Sequence, residues 1–161
     1  MLGEDEFVRR LRDYFATHGF DTGLDDAGFA EAAKLVQTRI VVLGDAWELL
    51  KFLDDGAFVL DEKSAAKELR AEAVPVLDAA LAALGDVGEW TTANVEEALK
   101  LALLDGLELK PRKAFGPIRV AVTGASVSPP LFESMELLGR SRSLARLRAG
   151  RDHAAAAPTA P

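Results

Sequence analysis

The sequence predicts an all-α fold, a multi-helix bundle, on three observations. Apolar residues recur three and four apart through nearly all of the chain, the period of a helix with one buried face. Glycines stand where those stripes end, and Ser, Thr or Asp stand where several begin, which is the punctuation of helix caps. Only one segment alternates like a strand, and a lone strand cannot satisfy its own backbone. With 161 residues, 49% of them hydrophobic, the chain can bury a core as one domain or as two small ones sharing it.

In chain order, Phe7, Leu11 and Phe15 are spaced by four, and Gly19 follows as a C-terminal cap. Phe29, Ala33, Val36, Ile40 and Leu43 form a second stripe closed by Gly44. Asp45 then stands as N-cap of a short apolar helix, "DAWELLKFL". The acidic loop "DDGAFVLDEKS" interrupts, and "SAAKELRAEA" resumes a helix. Val74, Leu77, Leu81 and Leu84 mark the next stripe, with Pro75 in its first turn and Gly85 at its end. Thr92 is the expected cap of a helix that buries Val95, Ala98, Leu99, Ala102 and Leu103 and stops near Gly106.

"PIRVAVTG" divides the local rules. Ile118, Val120 and Val122 alternate as in a strand, whereas Phe115, Ile118 and Val122 keep helical spacing and Pro117 suits a helix's first turn. No other segment offers a strand partner, so it is read as helix. Ser128 is the expected N-cap, and Pro129 the first residue, of a helix that buries Leu131, Met135 and Leu138 and breaks at Gly139. Ser143 to Ala149 closes the pattern, and residues 151–161 are expected to be a disordered tail.

The net charge of −7 hides a division. Residues 110–153 carry nine Lys or Arg against three acidic residues, a surplus of +6, which leaves −13 on residues 1–109. An acidic body with a basic end suits an anionic partner held at that end. Catalytic chemistry is scarce: there is no cysteine, only His18 and His153, and no phosphate-cradling glycine loop. Asp54, Asp55, Asp61 and Glu62 do not follow a calcium-loop pattern, so a solvated acidic loop is the simpler reading and no metal site is expected. No apolar run reaches the roughly 20 residues of a membrane span, and "MLGEDEFVRR" is too acidic for a signal peptide, so a cytoplasmic protein is expected.

At this point motifs add to composition. "KPRKAFGPIRVAVTG", "SPPLFESMELLGR" and "SLARLR", in that order, resemble the C-terminal anticodon-binding region of bacterial glutamyl-tRNA synthetases. "LVQTRIVVLGDAWELLKF" and "WTTANVEEAL" resemble the preceding helices of the same region. The resemblance covers about Glu4 to Arg148 and is most specific from Lys110 onward. It implies an all-helical unit of two small subdomains forming a cage around the anticodon, here 1–62 and 63–150, and it supports the helical reading of "PIRVAVTG".

The resemblance also implies roles. Arg119, Ser128, Pro129 and Leu131 would line the anticodon pocket, and Gln37 or Arg39 would face the third anticodon base. An arginine there implies discrimination of tRNA-Glu from tRNA-Gln, and a glutamine implies tolerance of both. Lys110, Arg112, Lys113, Arg140, Arg142 and Arg146 would hold phosphates without reading sequence. The family's catalytic motifs are missing from this chain, so ATP and Mg belong to the parent's catalytic domain in cis, and no cofactor is expected here. The expected partner of this monomer is tRNA-Glu, with tRNA-Gln the second candidate. A free-standing helical adaptor that binds protein or RNA is the competing function. The basic end favours RNA, and the acidic body favours the adaptor.

Overall fold

A computed structural model of the chain describes residues 3–157. Those residues form nine α-helices joined by turns and short 3-10 or π-helical pieces, with no strand among them. The helix α1 (Glu4–His18) carries Glu4, Asp5 and Glu6 in its first turn, where carboxylates oppose the positive end of the helix dipole. It ends at Gly19, whose φ of 70° is the left-handed cap geometry. Next, α2 (Asp26–Val36) is capped by the Asp25 carboxylate, which accepts from the Gly28 N–H at 2.7 Å.

The stripe expected to run to Gly44 stops at Val36 instead. Thr38, Ile40, Val41 and Val42 crowd β-branched side chains into five positions, which weakens a helix there. A turn therefore separates α2 from α3 (Leu43–Leu50). Asp45 is the third residue of α3, not its cap, and its carboxylate reaches back to the Val41 and Val42 N–H groups at 3.0 and 3.1 Å. These first three helices pack around Phe15, whose ring meets Phe29 and Trp47 edge-on at 5.6 and 5.5 Å.

A 3-10 turn (Lys51–Leu53) and an acidic loop lead to α4 (Glu62–Glu68), capped by Asp61. After α5 (Val74–Gly85), α6 (Thr92–Leu99) starts one residue earlier than expected, with Thr91 as its cap, and runs on as a π-helical turn to Gly106. The ambiguous segment lies in α7 (Pro111–Thr123). Pro111 is the proline in the first turn; Pro117 sits inside the helix, where it lacks the N–H that would otherwise bond back one turn.

Ser128 does not cap α8 (Leu131–Leu138), and Pro129 is not its first residue. Ser128 and Pro129 each precede a proline, which pushes both out of the helical region, so the helix starts only after Pro130. The last helix, α9 (Arg140–Ala156), is longer than the expected Ser143–Ala149. Gly150 marks a close approach and not a stop, because a Cβ there would come within 2.7 Å of Ala121 on α7. Arg151 to Ala156 are helical, with Ala154 fully buried, which corrects the expected tail over those residues. Residues 158–161 lie outside the described residues. With α5 and α7 flanking α9, one hydrophobic core runs from Phe7 to Ala154 through all nine helices.

Candidate nucleic-acid interface

The first turn of α7 works against helix electrostatics. Lys110 is its N-cap residue and Arg112 and Lys113 follow, all exposed, with no acidic residue in that turn. Cations at the positive end of a helix dipole cost stability, so their concentration there suits an anion supplied from outside. Arg112, Phe115, Gly116 and Arg119 lie three and four apart, so they share one side of α7. That side forms a wall of a cleft of about 420 Å³, completed by Lys67 and Glu68 of α4 and by Ser126.

Arg119 is half-buried. Its Nη1 donates to Ser128 Oγ at 2.6 Å and to the Pro129 carbonyl at 3.2 Å. Ser128 Oγ in turn donates to the Pro129 carbonyl at 2.7 Å. From the turn after α2, Arg39 Nη1 donates to the Ser128 carbonyl at 3.2 Å. Two guanidinium groups thus grip the segment between α7 and α8 from either side. Neither has an ion-pair partner among the described residues. Burial first, and then the neighbouring Arg39 charge, draw the Arg119 guanidinium below its ordinary range. Uncompensated positive charge beside an open cleft can stack on, or form forked hydrogen bonds to, an anionic planar ligand.

The expected site residues separate by position. Arg119 and Arg39 meet at Ser128, whereas Gln37 is the C-cap residue of α2. Ser128, Pro129 and Leu131 are buried and do not line the cleft; the Ser128 hydroxyl and the Pro129 carbonyl are engaged inside the protein, where they hold Arg119. What the segment presents outward is Ser126 and Val127, the latter 76% exposed. Phe115, which meets Phe132 edge-on at 5.3 Å, is a further wall residue that residue-by-residue motif matching passed over. An aromatic one turn before a site arginine was the available signal.

The arginines of α9 divide differently. Arg140 donates to the Gly88 carbonyl and lies 5.2 Å from the Trp90 ring. Arg142 donates to the Leu138 and Leu53 carbonyls at 3.1 and 2.6 Å. Arg146, expected to hold phosphate, is turned inward with its side chain only 10% exposed. It donates to the Val122 carbonyl and to Asp55, each at 2.8 Å, and covers the Phe58 ring at 3.9 Å. Its guanidinium is turned to the protein, so it serves as a strut between α9, α7 and the loop after α3 and does not stand open to a phosphate.

A family model described as "Anticodon binding domain" matches residues 6–151. The chain belongs to the anticodon-binding domain family. The glutamate–tRNA ligase of Mycobacterium sp. strain KMS is 82% identical over 98% of this chain and 32% of its own length. That of Mycolicibacterium smegmatis is 75% identical over 94% of the chain and 31% of its length. The chain therefore spans about a third of these relatives. A crystal structure of a glutamate tRNA ligase from Elizabethkingia meningosepticum, in complex with its amino acid, matches with a TM-score of 0.76. It is 16% identical and is matched over 94% of this chain and 29% of its own, a likeness of fold. Among the described residues, no group of His, Cys, Asp and Glu could hold a metal ion, and no helix is long and apolar enough to cross a membrane.

Proposed function

We propose that the chain binds the anticodon loop of tRNA-Glu, with the bases entering the cleft between α4, α7 and Ser126. The observation that carries this reading is the Arg39–Arg119 pair, two guanidinium groups without carboxylate partners that meet at Ser128 in an anticodon-binding domain. Single-stranded bases are recognised by splaying them out, stacking them on aromatic or guanidinium planes and bonding their edges. Phe115 and Arg119 offer the planes, and Lys110, Arg112 and Lys113 hold the flanking phosphates. Of the two candidates for the third anticodon base, Arg39 is favoured because it bonds to Ser128, the residue that also holds Arg119. That assignment implies discrimination against tRNA-Gln.

The relatives are named glutamate–tRNA ligases; on this reading the parent is an ATP-dependent enzyme of that kind, with ATP, Mg and the catalytic domain supplied outside this chain. On that reading the chain works as a monomeric recognition unit without a cofactor, and glutamate-dependent ATP–pyrophosphate exchange is absent from it. The test is fluorescence anisotropy with tRNA-Glu, a non-cognate tRNA and tRNA-Glu carrying a foreign anticodon, each at two salt concentrations. The reading requires tRNA-Glu to bind tightest at both salts and the foreign anticodon to abolish that advantage. Equal affinity for all three would reduce the site to general electrostatics.

A further inference from the structure

One carboxylate stands in the basic cleft. Glu68, the last residue of α4, lines it together with Lys67, Arg112 and Arg119, and its carboxylate makes no hydrogen bond or ion pair with any described residue. Its place is built by the helix opposite. Gly116 sits inside α7, where glycine costs helix stability, and a Cβ there would overlap the Glu68 carboxylate. Phe115, next to that glycine, and Arg119, one turn on, supply flat surfaces in the same cleft.

In a site for nucleic acid an unpaired carboxylate repels every phosphate. The contact with a base in which it gains is as acceptor from an N–H donor, and the N4 amino of cytosine is such a donor. We propose that Glu68 is a base-reading residue, accepting a hydrogen bond from the exocyclic amino group of an anticodon cytosine stacked on Phe115 or Arg119. Lys67, Arg112 and Lys113 offset its charge towards the backbone, while the glycine opposite keeps the carboxylate in the cleft. This inference rests on the RNA-binding reading above and adds to it a specificity that the arginines do not supply. Arginine donates, whereas an amino-bearing base edge needs an acceptor.

The experiment is a mutant cycle on the chain as it stands. The dissociation constant is measured for tRNA-Glu transcripts in which each anticodon cytosine is changed to uracil, a swap of amino for carbonyl. At one position the change should weaken the parent by about tenfold. In Glu68→Ala that penalty should shrink to within about twofold. Gly116→Ala should shrink it equally, because the added methyl displaces the flexible end of Glu68, and circular dichroism should find both variants helical. Glu68→Ala strengthening all transcripts alike would make Glu68 a bulk charge and overturn the proposal. So would a cytosine penalty that survives both variants, or a uniform loss that tracks lowered stability. A parent that binds no transcript would overturn the RNA-binding reading as well, whereas an intact anticodon preference without coupling to Glu68 would overturn this inference alone.

Discussion

Replacing Arg146 by alanine should damage the fold far more than the RNA contacts. The side chain is 10% exposed and bridges three elements that are distant in sequence. Its bond to the Val122 carbonyl, 2.8 Å and buried, is charge-assisted, and losing it leaves a carbonyl unpaired, about 2 kcal/mol. The Phe58 contact at 3.9 Å is desolvated and adds about 1 kcal/mol. The Asp55 pair counts for little, about 0.5 kcal/mol, because that carboxylate is 71% exposed. Arg146→Ala should therefore lose about 3 kcal/mol in urea unfolding, or about 10 °C in melting temperature for a chain of this size. Its tRNA salt dependence, measured where the variant is folded, should match the parent. A stability loss below about 1 kcal/mol with a flatter salt slope would refute the strut and restore a phosphate ligand.

Asp55 makes the same strut sensitive to acid. Its hydrogen bond from Arg146 holds its carboxyl below the usual range, so the contribution to stability is complete above about pH 4 and is lost as pH falls through the depressed folded value. Asp55→Asn should flatten the acid limb of a stability-versus-pH curve while leaving its shape above pH 6 unchanged. Gly150→Ala should destabilise by about 1–3 kcal/mol despite alanine's better helix propensity, since the methyl would meet Ala121; a more stable variant would mean α7 and α9 separate easily. Removing both Arg112 and Lys113 by alanine substitution should weaken all tRNAs alike and lower the salt slope by about 2, and a loss confined to tRNA-Glu would make them base readers.

Periodicity was a good guide wherever a helix buries one stripe, as with Phe7, Leu11 and Phe15. It misled where two local effects compete. Ile40 and Leu43 continue the spacing of α2, yet the β-branched run ends the helix before them. Gly150 reads as a stop by composition, but it is the point at which two helices touch, a distinction that only the neighbour Ala121 makes. The position of Ser128 was legible in principle, since consecutive prolines forbid a helix from starting at it. For the site, the basic first turn of α7 and Arg119 could be named from motifs. The inward turn of Arg146 and the pairing of Glu68 with Gly116 could not, because each depends on residues far away in the chain. A glycine inside a helical pattern was the hint of close approach that the sequence carried.

The central claim is that Arg119 recognises an anticodon base through its planar fork and not through charge alone. The most direct test is the affinity of Arg119→Lys for tRNA-Glu, at one salt concentration, beside the parent. Lysine keeps the charge but cannot stack or bond in a fork, nor hold Ser128 and Pro129 together. The account predicts a loss of about 1–3 kcal/mol, roughly tenfold or more, with an unchanged salt slope and no comparable loss for the foreign-anticodon tRNA. Equal affinity of the lysine variant and the parent would contradict it.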